Sequence, residues 1–559
     1  MDQITQMLSA KITIDEIIEH LKRLKKKKAS GIDGVINEML INANYKVIII
    51  LQLIFNNIIE TEDYPEKWNI SLTQLIYKDG DKGDPGNYRG IALGSNLGKL
   101  FNAIINSRLY KYMEDQGLLR PEQGGFRKGF RTMDHIFTLI TIISKYLRKG
   151  KRMYACYVDL KKAYDSVWRK GLTIKLKDLG VDEKTINIIS SMYKNTYTSV
   201  IFKRKLLPKI RVTKGLKQGD NLSPLLFNIY INDLPQCLSK GNTYPVDLMG
   251  MKLNCLLWAD DLVVMSETPE GLQQCVHNLQ GYCQKWKLEI NMKKTKVMTF
   301  NKSGKKLKFV RIFVNNTLLK NVTQYTYLGF TISASGTLTH GINNLVDKAK
   351  RAWFSIRRIL SKSRQKNVKT YITLFDYVVK PILLYACEIW GANIKASNSL
   401  KSLGETTWER FHIQVCRNIL GVHRGTSKIA TLAEIGRYPI EIDVHMRMIR
   451  YLLRFGTMQE DKLAVKALQE QQITKNNKDW LNVSKTYLDN LGMPEIFSNL
   501  SENDRKIGEI NRISKCSRDR EREIFQEMFF KELDSKREKM RVNYFSMNSS
   551  KRNMDTKII

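Results

Sequence analysis

Two short apolar runs, Leu253 to Leu257 and Leu262 to Met265, flank the tetrapeptide Trp258-Ala259-Asp260-Asp261. The pattern predicts a β-hairpin carrying two adjacent carboxylates at its turn. Neighbouring aspartates repel each other unless cations intervene. A third carboxylate, Asp159, stands near the end of another apolar run, Met153 to Leu160, which predicts a strand followed at once by a helix from Lys161 to Leu179. Carboxylates fixed at adjacent strand ends suit magnesium, which takes hard oxygen ligands and few of them from protein. Two such ions can clamp the attacking and the leaving oxygen while a phosphoryl group passes between them. Taken singly, Asp159 also reads as the cap of the following helix and the acidic pair as an ordinary turn. Taken in order with their surroundings, the three favour the catalytic reading.

Around these strands helical and extended patterns alternate. Apolar residues at helical spacing from Ile12 to Leu24 predict a helix that runs into Lys25 to Lys28 and stops at Ser30-Gly31-Ile32-Asp33-Gly34. A strand from Leu72 to Tyr77, the turn-rich stretch Lys78 to Asn87 and the run Tyr88 to Leu93 predict a hairpin with a charged tip. Next come a helix from Leu97 to Met113, a glycine-rich basic loop from Gln123 to Gly129 and a second apolar helix ending at Leu147. The loop Gly215 to Asp220 enters a helix from Ser223 to Leu234, with Pro224 where a first turn tolerates it. A helix from Pro269 to Trp286 and a strand near Val297 to Phe300 complete the alternating part. Past Thr337 the periodicity is helical in Val346 to Leu360, Tyr371 to Trp390 and Thr407 to Leu420. The end, Asn503 to Ile559, is dense in Lys, Arg and Glu, and its last residues are expected to be mobile.

Charge narrows the partner class. The 559 residues hold 92 Lys plus Arg against 55 Asp plus Glu, a formal charge of +37 and a pI near 9.7. Such a field favours nucleic acid first and an anionic membrane surface second. The longest apolar run, Val47 to Phe55, is interrupted by Gln52 and falls short of the ~20 residues a bilayer requires. Met1 to Ala10 has no signal-peptide core. The expectation is an intracellular protein, nuclear and/or cytoplasmic, without a membrane partner. Lys25 to Lys28 reads as a nuclear address, a phosphate contact or a solvated helix end. Eight cysteines form no C-x-x-C pair, and His412, Cys416 and His423 lack a second cysteine nearby, so they are taken as structural.

Read in order, Asp159-Leu-Lys-Lys-Ala-Tyr-Asp165-Ser-Val-Trp168, Gly215-Leu-Lys-Gln-Gly-Asp through Asn228, Trp258-Ala-Asp-Asp261 and Tyr327-Leu-Gly329 resemble successive reverse transcriptase motifs. Their spelling is similar to that of non-LTR (LINE-type) retrotransposons, near the jockey-like group. Lys27 to Gly34, Asn37 to Leu40, Asn87 to Leu93 and Gln123 to Gly129 resemble the upstream finger motifs of the same family, and Pro381 to Gly391 resembles the region after them. The resemblance implies an α+β right-hand polymerase of fingers, palm and thumb, followed by a mostly helical C-terminal region. Expected domains are a finger extension over 1–60, fingers and palm over 61–335, a helical thumb-like region over 336–430 and a basic helical region over 431–559. The implied activity is RNA-directed DNA polymerisation, with an RNA template, a DNA primer and deoxynucleoside triphosphates as partners.

By the same resemblance Asp159, Asp260 and Asp261 hold two Mg2+ or Mn2+ ions, and Tyr164 forms an aromatic plate beneath the incoming sugar; as a residue alone Tyr164 also reads as helix-face core. Gln218 and Gly219 fall where backbone approaches the nascent pair, which glycine permits. Tyr327, Leu328 and Gly329 are implied to meet the primer. For the triphosphate, Arg89 and Arg127 are preferred because a planar guanidinium meets phosphate bidentately, with Lys78 and Lys128 behind them. A lysine of Asn291-Met-Lys-Lys294-Thr295 is implied to protonate the leaving pyrophosphate, and the sequence does not separate Lys294 from Lys296. Trp258 replaces the usual Tyr or Phe, and Phe130-Arg131-Thr132 shifts a basic residue by one position. No endonuclease motif precedes the first finger motif, so a separate endonuclease is the expected source of any target nick. The competing readings are a catalytically idle nucleic-acid-binding remnant and a maturase-like splicing partner.

Overall fold

The computed structural model describes residues 7–78, 80–203, 205–307, 310–363, 367–393, 404–474 and 479–490, with 492, 511–513 and parts of 515–534. The expected mobile C-terminal end lies outside the described residues. The chain divides into two compact units, one of Met1–Thr132, Lys151–Thr299 and Lys306–Val322, the other of Met133–Gly150, Phe300–Lys305 and Thr323–Ile559. This division interleaves segments that the expected boundaries at 60, 335 and 430 kept apart.

The principal strands of the first unit are β1 (Ile70–Tyr77), β2 (Tyr88–Leu93), β3 (Met153–Val158), β4 (Tyr197–Phe202), β5 (Cys255–Trp258), β6 (Asp261–Ser266) and β7 (Lys296–Phe300). β1 and β2 form the expected antiparallel hairpin, from Leu72↔Leu93 to Tyr77↔Tyr88, and β4 joins the other edge of β1 in parallel. A second sheet runs in the order Lys320–Asn321, β7, β3, β6, β5. β3 is buried along its whole length, which is why Met-Tyr-Ala-Cys-Tyr-Val is continuously apolar rather than alternating. Helix Pro269–Lys285 covers β3 and β6. Thr268 starts it by accepting from the Gly271 N–H, and Pro269 occupies a first-turn position. Leu272, Cys275, Val276 and Leu279 recur at helical spacing on its buried face, each burial of a Leu or Val side chain contributing about 1.5–3 kcal/mol.

Three expected helices are shorter than their periodicity. The one placed over Lys161 to Leu179 becomes Ala163–Ser166 and Arg169–Asp178. Lys162 is left-handed at φ 44°, and the carbonyls of Tyr164 and Val167 accept from Leu216 and Gly215 N–H groups, so the loop takes bonds that a helix would have used. The helix from Ser223 stops at Tyr230, and Leu234–Leu238 forms a separate turn around Pro235, whose ring cannot continue a preceding helix. Tyr371 to Trp390 breaks into Val368–Leu374, a π-turn Phe375–Val379, Lys380–Leu383 and Cys387–Trp390, with Pro381 and a left-handed Ala386 at the breaks.

The second unit is mainly helical. Helix Thr132–Arg148 packs on helices Ile440–Phe455 and Trp480–Asn490 through Phe137, whose ring lies 5.1–5.7 Å from those of Tyr451, Phe455 and Trp480, and meets helix Leu463–Thr474 where Gln471 donates to Thr141 at 2.7 Å. Buried polar pairs fix the register: Arg454 and Tyr451 donate to Asp134 at 2.7 and 3.1 Å, and Lys145 meets Glu470 at 2.9 Å. Removing one partner of such a pair costs about 3–5 kcal/mol, because the other is left charged and buried. His412 Nδ1 lies 3.0 Å from Glu409 and its Nε2 lies 3.2 Å from Arg437 Nε, whereas His423 is exposed in a turn. These two histidines do not meet. Among the described residues no helix is long and apolar enough to cross a membrane.

Candidate active site

The three predicted carboxylates converge through strand pairing. β6 pairs with β3 from Leu262↔Val158 to Ser266↔Tyr154, so one more step along the register sets Asp261 across from Asp159. β5 closes on β6 at Asp261↔Trp258, and Ala259 makes the turn in the left-handed region at φ 55°. Asp260 and Asp261 are exposed and Asp159 is half-buried. Loss of surrounding water, then the charges of Asp260 and Asp159, push Asp261 up to about 6. Asp260 is raised by the same desolvation and by Asp159, while Arg89 and Lys294 pull it back. Among the described residues no three such groups yet stand close enough to ligate one cation together.

One side of Asp159 is organised by the segment after helix Pro269–Lys285. Asn291 donates from its side chain to Asp159 Oδ2 at 2.7 Å and from its backbone to the Asp159 carbonyl at 2.8 Å. Lys294 places Nζ 3.7 Å from Asp159 Oδ1, whereas the Lys296 ammonium bonds back to the Lys293 carbonyl. The structure thus separates two lysines that the sequence left equivalent. Asn291 itself lay inside the quoted motif but was not singled out.

Tyr164 stacks on Phe227 at 4.8 Å and 13° between planes, with Phe126 edge-on at 6.4 Å. Burial, then the charge of Asp260, holds its phenol protonated, and its buried hydroxyl has no hydrogen-bond partner among the described residues. Phe126, exposed at φ 59°, is a second aromatic at this place that the sequence reading passed over. The Gln218 carbonyl accepts from the Ala92 N–H at 2.9 Å, and its side chain donates to Asp165 at 3.0 Å. A Cβ on Gly219, at φ 106°, would lie 2.9 Å from the Ala92 carbonyl oxygen, so this glycine is required by β2 itself.

Arg89 is exposed on β2, opposite Ile76. Arg127 pairs its guanidinium with Glu114 at 2.7 and 2.9 Å and donates to the Arg120 and Gln123 carbonyls, contacts that anchor its loop. Lys128 is likewise drawn over the Tyr110 ring at 5.3 Å. Tyr327, Leu328 and Gly329 belong to the second unit, at the turn between β8 (Gln324–Tyr327) and β9 (Phe330–Ser333). There Tyr385, from the quoted Pro381 to Gly391 segment, donates to the Leu328 carbonyl at 2.5 Å.

The acidic turn has a brace that charge and periodicity did not reveal. Gln123 is 1% exposed, and its Oε1 accepts from the N–H groups of Gly125 at 2.8 Å and Ala259 at 2.9 Å. The loop extends the edge of β5, with Gly124 N–H bonded to the Leu257 carbonyl and Leu257 N–H to that of Glu122. A Cβ on Gly125 would sit 2.3 Å from Ala259 N, which explains the glycine. The visible signal was Gln123-Gly-Gly, a buried amide beside glycines that let backbone approach backbone.

Residues 76–332 match the reverse transcriptase (RNA-dependent DNA polymerase) family. The probable RNA-directed DNA polymerase from transposon BS of Drosophila melanogaster is 28% identical over 69% of this chain and 43% of its own length. The RNA-directed DNA polymerase from mobile element jockey of Drosophila funebris is 25% identical over 68% of this chain and 41% of its own length. Among solved structures, telomerase from Candida Tropicalis in complex with a TWJ fragment of telomeric RNA aligns with a TM-score of 0.37 and 12% identity over 78% of this chain and 71% of that one. The chain spans less than half the length of these curated relatives. With Asp159 at the end of β3 set across from Asp261 of the β5–β6 turn, residues 76–332 belong to the reverse transcriptase family, with sequence similarity to the non-LTR retrotransposon enzymes.

Proposed function

We propose that this chain is an RNA-directed DNA polymerase of a LINE-type element, adding deoxynucleotides to a DNA primer along an RNA template. The observation that carries the reading is the cluster of Asp159, Asp260 and Asp261, repelling one another and partly offset by Lys294 and Arg89. Such a donor set suits divalent cations, and Asp159, Asp260 and Asp261 would hold two Mg2+ or Mn2+ ions. When bound, these ions supply Lewis-acid stabilisation of the attacking and leaving oxygens. Lys294 delivers a proton to the departing pyrophosphate oxygen, Arg89 meets the triphosphate, and the Tyr164 ring, supported from below by Phe227, excludes a ribose 2′-hydroxyl. The basic excess of the chain binds template phosphates.

Primer extension on a poly-ribonucleotide template tests this directly. Asp260→Asn is expected to abolish extension while leaving template affinity nearly intact, since it removes a ligand but little of the basic field. Extension by Asp260→Asn at the parent's rate would overturn the assignment. Template binding without extension by the parent chain would favour the catalytically idle remnant.

A further inference from the structure

The second unit has a cleft that polymerase chemistry does not use. It encloses about 220 Å³ and is lined by Lys380, Arg437, Tyr438, Asp443, Arg518 and Arg522 among others. Four of these side chains are cations and one is an acid. Asp443 is already held by Lys380 at 2.6 Å, and Arg437 is turned toward Asp376 at 2.7 and 3.0 Å. Arg522 lies over the Tyr438 ring at 4.8 Å, with the Asp519 carboxylate 3.9 Å away. Arg518 and Arg447 bear on Arg450: after desolvation, their positive charges are what lower its pKa. A lining with four cations against one acid favours an anion with several oxygens, and guanidinium recognises phosphate through paired N–H donors.

We infer that this cleft binds a phosphodiester of single-stranded RNA, a docking point for the template outside residues 76–332. The inference rests on the polymerase reading for the identity of the nucleic acid. Stacking supports an unpaired strand, because the Arg522 guanidinium laid over the Tyr438 ring is the kind of plane on which bases of single-stranded RNA stack. A membrane surface is the disfavoured alternative, since the lining is mainly charged, with Pro439 and Ile442 as its aliphatic members and the Tyr438 ring already under Arg522.

The test uses the full chain and a labelled single-stranded RNA, without primer or nucleotides, across about 50 to 200 mM salt. Arg518→Glu is expected to weaken binding several-fold and to reduce the log–log salt slope by about 0.7 for each lost phosphate contact. Asp443→Asn, which releases Lys380, is expected to tighten binding, an outcome that mere destabilisation does not produce. Unchanged affinity and slope in both variants overturn the inference, as does loss of binding only to phosphatidylserine vesicles in Arg518→Glu. Primer extension by the parent is measured beside it. Its absence with both binding shifts intact defeats the polymerase reading and leaves the cleft, whereas its presence with unchanged binding defeats the cleft alone.

Discussion

Replacing Gln123 separates the brace of the acidic turn from the proposed metal ligands. The side chain touches no carboxylate, yet one buried oxygen accepts from both Gly125 and Ala259 N–H groups. Ala259 is a non-glycine residue in the left-handed region, a conformation that costs roughly 1–2 kcal/mol and needs its surroundings to hold it. Gln123→Met keeps most of the volume and removes the acceptor, leaving two buried donors unsatisfied at about 1–3 kcal/mol each. Part of that loss appears as global stability. The remainder appears where Asp260 must meet its ion, and about 1.4–2.8 kcal/mol there lowers kcat by roughly 10–100-fold. The assay is steady-state extension with varied Mg2+, alongside a thermal melt. A lower kcat and a raised Mg2+ requirement, with template KM little changed, are expected. Gln123→Met extending at the parent's rate, or losing activity only in proportion to folded protein, refutes the argument.

Lys294→Ala is expected to slow extension more than Lys296→Ala, because only the former ammonium faces Asp159; equal losses in single-turnover extension would return the two lysines to equivalence. Tyr164→Val should admit ribonucleotides, with a loss of selectivity beyond the ~1–3 kcal/mol of trimming a methylene-sized contact, and unchanged selectivity would leave Tyr164 as support for Phe227 only. Lys217 is set between the Tyr64 and Tyr193 rings and donates to Asn69 at 2.9 Å; burial lowers its pKa to about 8. The unfolded chain keeps that proton up to about 10.5, so between these values it binds more protons than the fold, and unfolding free energy rises with pH. A rise of about 2 kcal/mol from this group between pH 8 and 10, absent in Lys217→Met, is expected from denaturant midpoints; a parent curve parallel to that of the variant contradicts it.

The parts of the site set by short-range pattern were legible. Apolar runs bounding acidic turns located β3, β5 and β6, and ladder geometry then required Asp159 and Asp261 to meet. What stayed hidden depended on side-chain partners distant in sequence. The partner of Arg127, Glu114, stands thirteen positions earlier and carries no signal in the loop's own spelling. Gln123 looks like a loop residue until the hairpin turn, 136 positions later, is found against it. Helix ends failed where loop N–H groups captured the carbonyls of Tyr164 and Val167, because periodicity reports which face is apolar and not which carbonyls are claimed elsewhere.

The placement of helix Thr132–Arg148 has a consequence for inheritance. This helix is encoded within the family-matched segment, but its apolar face and its Asp134 and Lys145 charges are satisfied by residues from Tyr451 to Trp480. A premature stop or frameshift between Arg148 and Tyr451 therefore leaves Phe137 uncovered and takes Tyr451, Arg454 and Glu470 away from Asp134 and Lys145, inside the family-matched segment. Selection on the family-matched segment thus extends far downstream of its last motif, and a copy of the gene cut short at its 3′ end is predicted to be lost through misfolding before Asp159, Asp260 or Asp261 has changed.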